Sequence, residues 1–179
     1  MRDTQIDRVA EICDYIQLMT YDLRSGFCGT AGHHTAPYPS EGDDSELDTF
    51  SVVKMFMEAG VPANRLVTGA AFYSRKWTGV PDTEHGLFQT AGSLGLYGPG
   101  YTELREKFIG KQGFVRYWDE AAQAPWLFDG STLISYDDPD SIRAKCRMIE
   151  EMGLLGIMYW EHGCDPSREL LRALSDTGL

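Results

Sequence analysis

Three separated runs of the chain end in residues able to act on a polar ligand. Tyr15-Ile16-Gln17-Leu18-Met19-Thr20-Tyr21 stops at Asp22, the run from Arg65 through Phe72-Tyr73 stops at Ser74-Arg75, and Gly153 through Tyr159-Trp160 stops at Glu161 with Asp165 nearby. Carboxylates orient a substrate or exchange protons with it, and a guanidinium orients it by donating hydrogen bonds. Every second residue up to each end gives Gln17, Met19 and Tyr21, then Gly69, Ala71 and Tyr73, then Gly156, Met158 and Trp160, the period of one strand face. Each set climbs to an aromatic, so strands lying side by side would place Tyr21, Tyr73 and Trp160 around one pocket. Flat aromatic faces with polar tips suit the apolar faces and hydroxyls of a sugar ring. The same aromatics could equally fill the interior of a barrel, and the pattern fits both.

Helical spacing of Ile6, Val9 and Cys13 predicts a helix before the first run. A loop rich in Gly, His and Pro follows from Gly26 to Gly42, and Ser45-Glu46-Leu47-Asp48 reads as a capping-box-like helix start. Leu47, Phe50, Val53 and Met57 share that helix's face, and Gly60 with Pro62 ends it. Asp138 before Pro139 predicts a capped helix with Ile142, Cys146 and Ile149 inward; a last helix is predicted from about Asp165-Pro166, carrying Leu170, Leu171 and Leu174. Helices alternating with continuous apolar runs predict parallel strands covered by helices, an α/β fold. Such sheets bind ligands at the carboxyl ends of their strands, where Asp22, Arg75 and Glu161 fall. The stretch from about Trp77 to Leu133 is far longer than the ~2–6 residues of an ordinary loop in such folds. It predicts an α+β subdomain with a helix over Thr102–Ile109 and strands at Phe114–Trp118, Trp126–Phe128 and Leu133–Tyr136, walling the same cleft.

Composition narrows the partners. The 179 residues fit one domain, and 42% hydrophobic with 12% aromatic residues supply a core. Lys plus Arg number 16 against 27 Asp plus Glu, a formal charge of −11. That sign is wrong for nucleic-acid phosphates or an anionic membrane. The polar start Met1-Arg2-Asp3-Thr4-Gln5 is unlike a signal peptide, and no apolar run approaches the ~20 residues of a membrane span. Cys13, Cys28, Cys146 and Cys164 form no CxxC pair and read as mostly free thiols, with one disulfide left open. His33-His34, His85 and Glu161-His162-Gly163-Cys164-Asp165 lack a recognised metal spacing and read as surface or loop histidines, so no metal is expected. No GxSxG, P-loop or GxGxxG occurs, and Gly92-x-x-Gly95-x-x-Gly98-Pro99-Gly100 lacks a phosphate-binding context, so no cofactor is expected. Trp118 and Trp126 either extend a sugar cleft or form the core of the insert.

The same motifs carry a family resemblance. Gln17-Leu18-Met19-Thr20-Tyr21-Asp22 resembles the sixth-strand motif of family 18 glycoside hydrolases, the chitinase family. Gly60-Val61-Pro62-Ala63-Asn64-Arg65-Leu66-Val67-Thr68-Gly69 and Phe72-Tyr73-Ser74-Arg75 are similar to its seventh-strand region, with Ser74 where Gly is usual. Tyr136-Asp137-Asp138-Pro139-Asp140-Ser141-Ile142, Lys145, and Gly153 through Trp160-Glu161 are similar to its seventh helix and eighth strand. The resemblance implies the carboxyl-terminal portion of a (β/α)8 TIM barrel: strands six and seven over 1–76, an α+β insertion over 77–134, and the last helix-strand-helix over 135–179.

It further implies action on β-1,4-linked N-acetylglucosamine glycans such as chitin or related chains. Hydrolysis in the family is substrate-assisted: the substrate's acetamido carbonyl attacks the anomeric carbon while an enzyme Glu protonates the leaving oxygen. That Glu ends an Asp-x-x-Asp-x-Asp-x-Glu run, which this sequence lacks, and the cluster Asp43-Asp44-Ser45-Glu46-Leu47-Asp48 reads as helix capping instead. By resemblance Tyr21 would hydrogen-bond the acetamido carbonyl, Asp22 would bind the sugar nearby, and Trp160 would form the floor. Met19 would pack beside it, Gln17 would support from below, and Tyr73, Arg75 and Met158 would line the cleft. For Gln17 and Arg75 a purely structural role competes. Three strands cannot close a barrel, so the chain is expected to be a piece of a longer enzyme that alone is inactive and self-associates. The alternative is a lectin-like glycan binder without catalysis, and the blandest reading is an inert fragment. Secretion or cell-surface display is the family habit only.

Overall fold

The computed structural model describes residues 4–178; Met1-Arg2-Asp3 of the polar start and Leu179 lie outside the described residues. In chain order the elements are α1 (Ile6–Ile12), β1 (Ile16–Gln17), α2 (Thr49–Glu58), β2 (Leu66–Ala71), β3 (Tyr73–Thr78), β4 (Leu96–Gly100), α3 (Tyr101–Lys107), β5 (Val115–Asp119), β6 (Ala124–Phe128), β7 (Thr132–Ser135), α4 (Pro139–Met152), β8 (Gly156–Trp160) and α5 (Glu169–Ser175). Strands β1, β2 and β8 form a three-stranded parallel sheet with β2 central, the arrangement predicted from alternating elements. Strand β2 is buried along its whole length, with Gly69 opposite Met158 and Ala71 opposite Trp160. Helix α4 forms as its local chemistry dictates: Asp138 accepts from the Asp140 and Ser141 amides, Ser141 answers in a reciprocal capping box, and left-handed Gly153 ends it.

Several boundaries differ from the sequence reading. Strand β1 keeps only Ile16–Gln17 because the Thr20 side chain replaces the next rung. Gly69 N donates to Thr20 Oγ1 at 2.9 Å, and that hydroxyl donates to Gly69 O at 3.1 Å. The run is not buried throughout either, since Tyr15 and Met19 face solvent. The second strand does not continue to Arg75. It stops at Ala71, Phe72 N donates to Trp160 O and Phe72 O accepts from Tyr101 N, and Tyr73 opens β3 in a different sheet. Helix α2 begins at Thr49, capped by Asp48 accepting from Ser51 N at 2.8 Å; Val53 is buried, but Met57 is exposed and Phe56 packs in its place. Helix α5 starts after Arg168, while the Asp165 carboxylate accepts from the Glu169, Leu170 and Leu171 amides.

Residues 73–135 build a five-stranded antiparallel sheet of order β4-β3-β7-β6-β5, flanked by α3. Its strands β5, β6 and β7 lie within two residues of the predicted ones. The second half of the glycine run is strand β4, hidden from hydrophobic patterning. Glycine permits close packing here: a Cβ at Gly95, just before the strand, would stand 2.6 Å from the Trp77 ring, and one at Gly98 within it would overlap the Ser74 hydroxyl. The two sheets share a core in which Ala70 and Phe72 meet Leu127, Ile134, Ile142 and Leu170. The four cysteines are free thiols, and among the described residues no helix is long and apolar enough to cross a membrane.

One polar cluster lies inside this packing. Lys145 is fully buried, and its Nζ donates to Asp137 Oδ2 at 2.5 Å, Thr35 Oγ1 at 2.6 Å and Gly69 O at 3.4 Å. Asp137 also accepts from Ala71 N at 2.9 Å and Ser141 Oγ at 2.7 Å. Burial pulls the Lys145 ammonium below the usual lysine range, opposed by Asp137. Removing one partner leaves an uncompensated buried charge, at a cost of about 3–5 kcal/mol. Lys145→Met is therefore expected to lower stability to urea by about that amount, with Lys145→Met/Asp137→Asn losing less than the two single losses combined. Additive losses would contradict the pairing.

Candidate functional site

The site grows from one missing side chain. A Cβ at Gly69 would meet the Tyr21 ring at 2.8 Å, so glycine at the centre of β2 lets the ring lie over the strand. Tyr21 then reaches β8 and β3 together: its hydroxyl lies 3.9 Å from Met158 Sδ, and its ring meets Tyr73 edge-on at 5.9 Å. Asp22 follows with φ of 60°, a left-handed turn that aspartate tolerates. This turn sends its carboxylate toward β3, where Arg75 Nε donates to Oδ1 at 2.6 Å. Arg75 is itself fixed, donating to Gly95 O at 3.2 Å and stacking 3.6 Å over the Tyr97 ring.

Five of the expected residues, Tyr21, Asp22, Tyr73, Arg75 and Met158, thus make one connected constellation. Trp160 stands at the open end of β8, opposite Ala71, with 57% of its surface exposed, and Met19 is 70% exposed. Gln17 is exposed on β1, beside Val67 in register. Glu161 follows Trp160 through a cis peptide and is exposed, whereas Asp165 is spent on the α5 amides and stands outside the constellation.

Electrostatics fixes what the constellation can do. Burial opposes ionisation of Asp22, but hydrogen bonds with His34, Arg75 and Tyr73 outweigh it and hold the carboxyl far below the usual carboxylate range. Burial and the neighbouring Asp22 charge push the Tyr73 phenol upward, and burial does the same for Tyr21. Burial lowers His34, so its imidazole is neutral near pH 7 despite Asp22. The constellation therefore offers an anionic acceptor framed by neutral hydroxyls. Asp22 is not a proton donor at neutral pH.

Sequence reasoning missed three participants. Thr20 anchors the turn through its hydroxyl; His34, with Nδ1 3.5 Å from Asp22 Oδ1, backs the carboxylate; and Tyr97, 69% exposed, lies under Arg75. Only the alternation in β4, masked by glycines, signalled Tyr97. Of the expectation of surface or loop histidines, His33 and His34 keep the loop and not the surface, both being buried where each finds a distant carboxylate. His33 pairs with Asp119 at 3.3 Å; burial opposes that carboxyl's ionisation, but His33 and the Ala122 amide outweigh it and bring its pKa to about 2. Trp126 belongs to the core of the antiparallel sheet, donating to His85 O.

Because the folded Asp22 titrates below its unperturbed value of 3.8, its stabilising contribution is complete above that pH and is lost as pH falls below it. Thermal melts of the chain and of Asp22→Asn are expected to differ most near pH 6 and to converge as pH falls below about 4. A gap that stays constant down to pH 3 would contradict the ion pair.

Comparison with known proteins places the chain in a family. The family model described as Glycosyl hydrolases family 18 matches residues 1–165. Chitinase A1 of Niallia circulans is 33% identical over 187 aligned residues, covering 96% of this chain and 27% of that protein. Chitotriosidase-1 of Mus musculus is 28% identical, covering 87% of this chain and 35% of that protein. The solved structure of a glycoside hydrolase family 18 N-acetylglucosaminidase from Paenibacillus barengoltzii superposes with a TM-score of 0.96 at 48% identity, covering 98% of this chain and 52% of that one. The chain spans about half of that structure and about a third of the curated relatives. With its matched span covering nearly the whole sequence, the chain belongs to family 18 of the glycosyl hydrolases.

Proposed function

We propose that the chain forms one side of an N-acetylglucosamine-binding cleft and, together with the acid-bearing part of a complete barrel, serves hydrolysis of β-1,4-linked N-acetylglucosamine glycans. The observation that carries this reading is the Tyr21–Asp22–Arg75–Tyr73 constellation at the carboxyl ends of parallel strands, with Trp160 open beside it. In this reading β1, β2 and β8 are the last three strands of a (β/α)8 barrel, residues 77–134 are an insertion walling the cleft, and 1–76 and 135–179 are the barrel parts. A class V chitinase from tobacco, solved with NAG4 bound, is 25% identical with a TM-score of 0.86, covering 96% of this chain and 51% of that one. That likeness supports an N-acetylglucosamine oligomer as ligand.

Each residue then has a chemical task. The Tyr21 hydroxyl donates to the acetamido carbonyl and aims its oxygen at the anomeric carbon. The ionised Asp22 accepts from the acetamido N–H and stabilises the positive charge that develops as the carbonyl oxygen bonds to that carbon. Trp160 supplies an apolar floor, Met19 and Met158 line it, Gln17 supports from below, and Tyr73 and Arg75 hold Asp22 in place. The leaving oxygen requires a proton donor, for which the family's Glu is the expected source; this sequence lacks its Asp-x-x-Asp-x-Asp-x-Glu run. This chain alone therefore binds without cutting, the behaviour also expected of a lectin-like relative.

Tryptophan fluorescence of the chain titrated with an N-acetylglucosamine tetramer is expected to quench saturably, with the oligomer intact afterwards. Tyr21→Phe, losing one hydrogen bond of about 1 kcal/mol, is expected to weaken binding roughly five-fold. Quenching unchanged by the substitution, or cleavage of the oligomer, would refute the assignment. Open edges at β1 and β8 beside exposed Met19 and Trp160 also favour self-association. Light scattering is expected to give a mass above 20.0 kDa, and a monomer at high concentration would count against it.

A further inference from the structure

Outside the cleft constellation, a pocket of about 490 Å³ opens between β5, the turn after it and α4. Three arginines converge there, Arg116 from β5 and Arg143 and Arg147 from α4, beside Trp118, Gln123, Glu120 and Asp140. Such a convergence is unexpected on a chain of net charge −11. Its acidic members are already engaged. Arg116 donates to buried Asp138 at 2.8 Å and to Asp140 Oδ2 at 3.0 Å, while Arg143 takes Asp140 Oδ1 at 3.0 Å. Glu120 accepts from the Trp118 indole at 3.2 Å. Arg147, one turn beyond Arg143, makes no hydrogen bond or ion pair with protein among the described residues.

These bonds make the pocket rigid without exhausting it. Asp138 caps α4 and pins Arg116 from below, which sets that guanidinium 5.1 Å from the Trp118 ring. Each guanidinium carries five N–H donors in a planar fork, so the three have more donors than these bonds use. Gln123 spends its Nε2 on Glu120 O at 2.8 Å and keeps its amide oxygen as an acceptor. Guanidinium forks suit a carboxylate, an indole suits the apolar face of a ring, and an amide oxygen suits a hydroxyl.

We propose that this pocket is a second carbohydrate subsite, for a pyranose bearing a carboxylate. Arg143 and Arg147 take the carboxylate, the Trp118 face takes the ring, and the Gln123 amide oxygen accepts from a hydroxyl. The subsite shares no residue with the constellation around Tyr21, and its existence does not depend on the cleft reading.

The test is a solution NMR titration of the full 179-residue chain with a galacturonic acid trimer, which has no acetamido group, following the Trp118 indole N–H. A saturable shift is expected, weakened at least ten-fold in Arg143→Gln/Arg147→Gln and unchanged in Tyr21→Phe. Both arginines are surface residues, and an unchanged amide spectrum certifies the fold of the variant; should the double variant misfold, Arg147→Gln alone is expected to weaken binding measurably. No saturable shift, an equal shift with a neutral galactose trimer, or full competition by inorganic phosphate at the trimer's own concentration would overturn the proposal. Loss of binding in Tyr21→Phe would overturn it too, by assigning the acid to the cleft.

Discussion

A lysine ammonium sealed from water must be surrounded by acceptors, and satisfying Lys145 fixes the geometry of much of this molecule. Its partners come from three places: Asp137 at the junction of β7 and α4, Gly69 O in the centre of β2, and Thr35 in the long loop after β1. Asp137 in turn holds Ala71 N, two residues further along β2. Loop, central strand and helix cannot shift independently without stranding a charge in a low-dielectric interior. That loop carries Tyr21, Asp22 and His34, while β2 carries Gly69. Tyr21, Asp22 and His34 therefore inherit their positions from a buried polar cluster.

Above this cluster the chemistry divides between shape and charge. Gly69 gives Tyr21 room, Thr20 closes the turn by bonding both backbone groups of Gly69, and Asp22 turns toward Arg75 through a left-handed residue. Arg75 belongs to the antiparallel sheet, so the ion pair ties the loop after β1 to that sheet. The result is a carboxylate kept ionised, against its burial, by hydrogen bonds with a neutral histidine, an arginine and a phenol. Preorganised acceptors of this kind stabilise a developing positive charge without reorganisation at the moment of reaction. A carboxyl held so far below neutral pH carries no proton to donate there.

How much of this the sequence revealed depended on whether the governing interactions were local. Helix α4 was legible from Asp138 and Pro139 because its cap is made within four residues. The parallel strands were legible from apolar runs, and the neighbourhood of Tyr21, Asp22, Tyr73, Arg75 and Met158 from the ends of those runs. Where a tertiary contact decides, the pattern misled. Strand β1 ended early because a threonine hydroxyl replaced the ladder across 49 residues of sequence separation. The second run looked like one strand through Arg75, yet Phe72 hands its backbone groups to Trp160 and Tyr101 and the chain changes sheets. The burial of the loop residues His33 and His34 stayed hidden because their partners, Asp119 and Asp22, are brought close only by folding. The glycines in and just before β4 concealed Tyr97 for the converse reason: packing against Trp77 and Ser74 excludes the side chains that would have shown alternation.

The central claim is that a sugar-binding half-cleft stands preassembled on the buried Lys145–Asp137 cluster. The most direct test is a crystal structure of this chain with an N-acetylglucosamine trimer. The account predicts an acetamido group within hydrogen-bonding distance of the Tyr21 hydroxyl and the Asp22 carboxylate, a ring over Trp160, and the Asp22–Arg75 pair intact. A trimer bound away from these residues, or an Asp22–Arg75 pair that forms only when sugar is present, would contradict it.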